Sequence, residues 1–303
     1  MAAVTERREG ESAGPRFRAL LAGGTVAMPG VFSAITARMA ERAGFEALYL
    51  SGAGVTNSLT GTPDIGLLTL TEMAAQARYV CLATRLPVIA DADTGYGDVH
   101  NVARAVEELE QSGLAGIHLE DQVAPKRCGH LDGKQVAPAA EMVRKIRAAV
   151  AARADPDFFI IARTDARGVN GLPDAIDRAK RYVDAGADGV FPESLQSAAE
   201  FEEFARHVRA PLLANMTEFG KTPLLTVEEF RALGYAMVIF PMTAFRVMMR
   251  AAESAYVELR RSGSQAALVE RMQTRAELYE VVDYEAFIRR DRELATEPTE
   301  EER

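Results

Sequence analysis

Val88-Ile-Ala-Asp-Ala-Asp93 and Gly116-Ile-His-Leu-Glu120, joined by the amphipathic run 99–112, decide the fold of this chain. The two flanks are short, aliphatic and strand-like, and the run between them has helical spacing and ends at Gly113, a C-terminal cap position. Strand, helix and strand in that order make a parallel pair joined by a right-handed crossover. The unit recurs in both directions. Strand-type stretches are predicted at 25–28, 47–51, 88–93, 116–120, 158–165, 189–193, 212–217 and 237–241. Helical patterns fall at 32–43, 70–83, 99–112, 136–152, 173–185, 197–207 and 226–233, and Gly44 and Gly186 close two of them as Gly113 closes a third.

Eight such units in about 250 residues predict a (β/α)8 barrel. A doubly wound open sheet would need a nucleotide-type glycine fingerprint, and Gly95-Tyr96-Gly97 follows a strand without completing one. The expected layout is one barrel domain over 16–290, with a long helix at 244–261 and further helices to 290. It is flanked by disordered polar and acidic tails at 1–15 and 291–303.

Bulk properties narrow the function. The 303 residues are 48% hydrophobic and 26% charged, as in a soluble globular protein. A net charge of -9 argues against a nucleic-acid partner. Two cysteines, Cys81 and Cys128, make no disulfide framework and suit a reducing compartment. The N-terminus is too charged for a secretory signal, and the longest apolar run, 235–245, is far shorter than the ~18 residues of a membrane span. A cytoplasmic protein without a membrane partner is expected.

Side chains alternate across a strand, so residues two apart share a face. Near the C-terminal strand ends, where barrel enzymes keep their sites, this rule groups Tyr49 with Ser51, Asp91 with Asp93, and His118 with Glu120. It also groups Arg163 with Asp165, Phe191 with Glu193, and Asn215 with Thr217. Any single pair is explained by helix capping or a turn. Six strands with one parity point to a site. Asp91 and Asp93, with Glu120 next door and Asp64 in the loop after the second strand, offer hard oxygens that suit Mg²⁺; Mn²⁺ fits the same set. No His/Cys group has zinc spacing. His100 and His207 are expected at the surface, and His118 as a packed barrel histidine. Arg163, Arg246 and the segment 215–217 suit carboxylate binding, which together with a metal implies a small di- or tricarboxylic acid. Position alone gives Arg246 equal standing as a solvated residue.

A polar loop after the fourth strand, Glu120-Asp-Gln-Val-Ala-Pro-Lys-Arg-Cys-Gly-His130, sets Cys128 among Lys126, Arg127 and His130. Nearby cations stabilise a thiolate and make its proton transferable near neutral pH.

These motifs resemble the isocitrate lyase and phosphoenolpyruvate mutase superfamily, most of all its 2-methylisocitrate lyase branch. The matching stretches are Tyr-Leu-Ser-Gly (49–52), Gly-Thr-Pro-Asp (61–64), Asp-Ala-Asp (91–93), Glu-Asp-Gln (120–122) and Lys-Arg-Cys-Gly-His (126–130). Ala-Arg-Thr-Asp-Ala (162–166), Phe-Pro-Glu (191–193), Asn-Met-Thr-Glu-Phe-Gly (215–220) and Gln-Thr-Arg-Ala-Glu-Leu-Tyr-Glu (273–280) match as well. The resemblance implies cleavage of 2-methylisocitrate to pyruvate and succinate in propionate catabolism, by a homotetramer whose eighth helices are exchanged between subunits. It implies that Asp91 and Asp93 hold Mg²⁺, with Asp64 and Glu120 around its water shell. Ser51, Gly52, Ala53, Cys128, Gly129, Arg163, Glu193, Asn215, Met216, Thr217, Arg246 and Arg275 are implied substrate contacts. One departure is Ala53, where the branch often has glycine; its methyl is expected to crowd the pyruvate end.

The chemistry expected is a retro-aldol cleavage, with Cys128 as the general acid that protonates the succinate carbanion. Tyr49 is the candidate base and metal-bound water or hydroxide its competitor. Loop 122–134 is expected to act as a lid. Lyases for isocitrate or 2,3-dimethylmalate and a hydrolase of oxaloacetate are the alternatives; a non-catalytic carboxylate binder has no use for a protonating thiol.

Overall fold

The computed structural model describes residues 12–127, 129–130 and 133–296. Their elements run α1 (Ala13–Gly23), β1 (Val26–Val31), α2 (Ala34–Arg42), β2 (Leu48–Leu50), α3 (Gly52–Thr60), α4 (Leu70–Ala83), β3 (Val88–Asp91), α5 (Val99–Gln111) and β4 (Gly116–Glu120). Then follow α6 (Ala139–Ala152), β5 (Phe159–Thr164), α7 (Leu172–Asp184), β6 (Gly189–Pro192), α8 (Ala198–His207), β7 (Leu213–Asn215), α9 (Val227–Ala232), β8 (Met237–Phe240), α10 (Thr243–Ser262), α11 (Arg275–Val282) and α12 (Tyr284–Thr296). All eight strands pair in parallel in the order β6-β5-β4-β3-β2-β1-β8-β7, and a parallel bridge between Val190 and Leu212 closes the ring. The expected (β/α)8 barrel is present.

Two apolar layers hold the barrel. One parity of each strand faces inward, where Met28, Tyr49, Ile89, Phe159, Ile161, Phe191, Leu213 and Ile239 fill the interior. The other parity, including Leu48, Ala90, Ile117, Leu119 and Ile160, packs against Val102, Val106, Leu109, Met142 and Ile146 of α5 and α6. Burying each such side chain stabilises the fold by about 1.5–3 kcal/mol before entropy is counted. Register sets the polar ends side by side: Asp91 lies opposite His118, Glu120 opposite Arg163, and Arg163 opposite Phe191.

Two helices were not expected. Helix α1 includes residues 13–15, assigned above to a disordered tail. It inserts Phe17, fully buried, into the interior cluster, edge-on to Phe159 at 5.3 Å between centroids. Only Gly14 and Phe17 of this helix are buried, so its periodicity is faint in the sequence. Helix α3 has two internal glycines and is capped by Ser51, whose Oγ accepts from the Gly54 N–H at 3.1 Å.

Chain contacts divide the described residues into a unit of 12–246 and a second unit from Val247 onward, which holds most of α10 together with α11 and α12. Within the second unit Tyr279 and Tyr284 stack at 4.5 Å. Residues 291–296, expected in the acidic tail, continue α12. No described helix is long and apolar enough to cross a membrane.

Candidate active site

The C-terminal strand ends bring most of the expected residues to one mouth. Asp91 is buried, and its Oδ1 accepts from the Asp93 N–H at 3.0 Å and lies 3.6 Å from His118 Nε2. Burial opposes its ionisation, but His118, Lys126, Arg163 and that N–H outweigh it and lower its pKa. Asp93 takes the opposite shift, up to about 6, through burial and the Asp91 charge. Its backbone is left-handed (φ 47°), unusual for aspartate and a sign of a constrained turn. Burial raises Glu120 well above the carboxylate range despite Arg163 Nη1 at 3.2 Å from its Oε2. Its buried Oε1 has no hydrogen-bond partner among the described residues.

Arg163 sits at the centre of the basic side of the mouth. Nε donates to Asp165 Oδ2 at 2.9 Å, the guanidinium lies 5.0 Å over the Phe191 ring, and Nη2 is 3.7 Å from Glu193 Oε2. Glu193 Oε2 also accepts from Asn215 Nδ2 at 3.3 Å. Although burial opposes it, the charge of Arg163 and the hydrogen bond from His130 hold Glu193 well below the usual range. Tyr49 OH lies 2.9 Å from His118 Nε2, and the rings stack with centroids 5.8 Å apart. Burial lowers His118 to about 4, so it is neutral at physiological pH. It is the packed barrel histidine expected, while His100 and His207 are exposed. Burial and the Asp91 charge push the Tyr49 phenol well above 10. That environment runs against the expected base: Tyr49 is a phenol, not a phenolate, at neutral pH.

Gly52 has a steric reason to be glycine. A Cβ there would lie 2.5 Å from Asp91 Oδ2. Its neighbour Ala53 packs in part against the barrel–helix layer.

The described residues of segment 122–134 dock over this mouth. Its two ends pair through the Gln122–Val136 bridge, and the Val123 N–H donates to Gln135 O at 2.9 Å. Lys126 Nζ bridges Asp64 and Asp93, 2.8 Å from Asp93 Oδ1. His130 Nε2 is 2.8 Å from Glu193 Oε1, and its Nδ1 accepts from the Lys221 N–H at 3.0 Å, so Nε2 carries the proton. Ser194 Oγ donates to Gly129 O at 2.8 Å, and Lys134 Nζ donates to the same oxygen and to Asp165 Oδ1 at 2.7 Å. Two glycines make the fit: a Cβ on Gly129 would lie 2.5 Å from Arg163 Nη2 and from Glu193 Cγ, and one on Gly220 would lie 2.5 Å from His130 Nδ1.

Cys128 lies outside the described residues. Two of its three basic sequence neighbours, Lys126 and His130, spend their polar atoms on Asp64, Asp93 and Glu193. Met216 is buried, its Sδ accepting from the Leu225 N–H at 3.3 Å, and Thr217 follows it half-buried. Arg246 is at the exposed rim, 3.4 Å from Glu218 Oε2 and over the Phe219 ring at 5.4 Å. Arg275 opens α11 in the second unit. The structure adds Lys134, which sequence reading passed over; a lone lysine in a polar loop carries no signal until Asp165 is seen opposite it.

The family model for phosphoenolpyruvate phosphomutase matches residues 17–260. A 2-methylisocitrate lyase of Aeropyrum pernix is 52% identical over 91% of this chain and 88% of its own length. Among solved structures, 2,3-dimethylmalate lyase superposes with a TM-score of 0.89 at 36% identity, covering 94% of this chain and 96% of that one. Oxaloacetate acetylhydrolase, solved with 3,3-difluorooxalacetate, gives 0.89 and 36% over 95% and 99%. Shared sequence, shared barrel and shared motifs agree: the chain belongs to the phosphoenolpyruvate phosphomutase family, in its 2-methylisocitrate lyase group.

Proposed function

We propose that this chain is a cytoplasmic carbon–carbon lyase that cleaves 2-methylisocitrate to pyruvate and succinate. Relatives bearing that name at 43–52% identity support the substrate over the 36% neighbours that act on 2,3-dimethylmalate or oxaloacetate. The observation that carries the proposal is the meeting of an acidic pair, an Arg–Glu–Asn cluster and a docked lid at one barrel mouth.

The acidic side fits a hard divalent cation. Asp91 raises the proton affinity of Asp93, and Glu120 has a buried, unpartnered oxygen among the described residues. These hard carboxylate oxygens suit Mg²⁺, with water and substrate completing its shell; Mn²⁺ fits equally. Asp91 and Asp93 would hold it, with Asp64 and Glu120 outside. When bound, it polarises the forming 2-oxo acid and neutralises Asp91 and Asp64, whose charges raise the Tyr49 phenol.

The chain's own groups do the rest. Arg163 and Asn215, with Ser51, Gly52, Ala53, Gly129, Glu193, Met216 and Thr217 around them, hold the carboxylates and hydroxyl. Arg246 approaches from the rim, and Arg275 is included as a substrate contact on its motif alone. Donors from Arg163 and Asn215 stabilise charge that grows on the departing succinate. Tyr49 takes the hydroxyl proton as its own phenolic proton passes to His118 Nε2, 2.9 Å away. Cys128 gives a proton to the succinate carbanion as the bond breaks, and the docked lid keeps that carbanion from water. The homotetramer with exchanged eighth helices is supported by the exposed apolar residues Val247, Tyr256 and Val257 on α10.

The test is product release. Purified enzyme with Mg²⁺ and 2-methylisocitrate is expected to yield pyruvate and succinate in equal amounts. Cys128→Ser is expected to abolish turnover while circular dichroism and Mg²⁺ binding stay unchanged. Oxalate from oxaloacetate as the main activity, or near-normal turnover by Cys128→Ser, would overturn the assignment.

A further inference from the structure

The lid has a neck, and the neck is stapled from outside the mouth. Asp121 opens the segment and has the parity opposite to Glu120, so its carboxylate turns toward α7. Four donors saturate that carboxylate. Oδ1 accepts from the Asp165 N–H at 2.9 Å, and Oδ2 accepts from Thr164 Oγ1 at 2.8 Å, Tyr182 OH at 2.8 Å and Arg178 Nη1 at 3.2 Å. Arg178 Nη1 also donates to Ala137 O at 2.8 Å, on the returning strand of the neck. The Ala137 N–H in turn donates to Asp121 O at 2.8 Å. One guanidinium therefore holds both ends of the lid. The Asp165 that donates to Asp121 is also the acceptor for Lys134, whose ammonium grips Gly129 O beside the cysteine.

We propose that Arg178 and Tyr182 on α7 are positioning residues which, through Asp121, fix the lid's neck and so hold Lys126, Gly129 and His130 in place over the mouth. The staple leaves movement to the residues beyond Gln122 and Val136, so the lid swings as a body from a fixed base rather than fraying from its roots. The proposal rests on the lid assignment above.

The test is hydrogen exchange of the neck together with kinetics. In Arg178→Met and in the milder Tyr182→Phe, the amides of Val123 and Ala137 are expected to exchange about tenfold faster, while strand amides of the barrel keep their protection. kcat is expected to fall about tenfold in Arg178→Met with Mg²⁺ affinity unchanged, and Arg178→Lys to restore part of both. Unchanged neck exchange in both variants would overturn the proposal. So would general loss of barrel protection in both, or a loosened neck with full kcat. Neck exchange is read without substrate, so an enzyme that failed to cleave 2-methylisocitrate would refute the function and leave this measurement intact.

Discussion

Replacing Asp93 with asparagine tests the electrostatics of the mouth directly. Its carboxyl titrates near 6 instead of the ordinary 3.8, because it is buried and faces Asp91. A pKa raised in the folded state means that the folded protein keeps a proton the unfolded chain has lost. The stability tied to that proton is complete below pH 4 and disappears as pH rises through 6. The gap of about two pH units amounts to about 3 kcal/mol. Metal-free wild type should therefore lose about 3 kcal/mol relative to Asp93→Asn between pH 4 and 7, then run parallel to it. Lys126 loses one partner in the variant but keeps Asp64, which shifts the whole difference without altering its slope.

The chain has no tryptophan, so unfolding in urea is followed by circular dichroism. His118, lowered to about 4, makes both proteins less stable as pH falls below its ordinary 6.5, and this cancels in the difference. Saturating Mg²⁺ should restore the wild type at pH 7 and leave Asp93→Asn unmoved. A difference that stays flat from pH 4 to 7 would refute the argued coupling of the two aspartates.

Two other substitutions probe the steric design. Gly129→Ala puts a methyl against Arg163 and Glu193, both already tied by hydrogen bonds. Such overpacking costs about 1–3 kcal/mol in the docked lid; kcat should fall about tenfold or more with an unchanged melting temperature, and normal kcat would show that the lid need not dock this closely. Phe17→Ala empties the interior cluster beside Phe159 and should cost about 3–5 kcal/mol in urea unfolding, with little change in Mg²⁺ affinity.

The barrel was legible because strand parity repeats: Tyr49, Asp91, Glu120, Arg163, Glu193 and Asn215 all lie where alternation puts them. Helix α3 was not, because Gly-Ala-Gly-Val-Thr-Asn-Ser-Leu-Thr reads as a poor helix. Tertiary contact decides it, since Gly52 lets Asp91 approach and Gly54 has Phe32 Cβ 3.1 Å from where its own Cβ would stand. Partners of the lid cations were illegible for a related reason. Lys126 and His130 are near Cys128 along the chain, yet their nitrogens answer acids that follow other strands. Spacing within a loop says little about what the loop faces.

Charge at the mouth leads to one last expectation. Asp64, Asp91, Asp93, Glu120, Asp165 and Glu193 face three permanent cations, Lys126, Lys134 and Arg163. Full ionisation would leave an uncompensated excess in a buried site, and the structure relieves it by holding protons on Glu120 and, below pH 6, on Asp93. A divalent cation supplies the same compensation, so its binding must expel those protons. At pH 6, Mg²⁺ binding should release about one to two protons, read as the slope of calorimetric enthalpy against buffer ionisation enthalpy. As pH rises well above 6 the release should fall by the share that Asp93 contributes. No release at pH 6 with Mg²⁺ bound would mean that the metal sits away from this acidic pair.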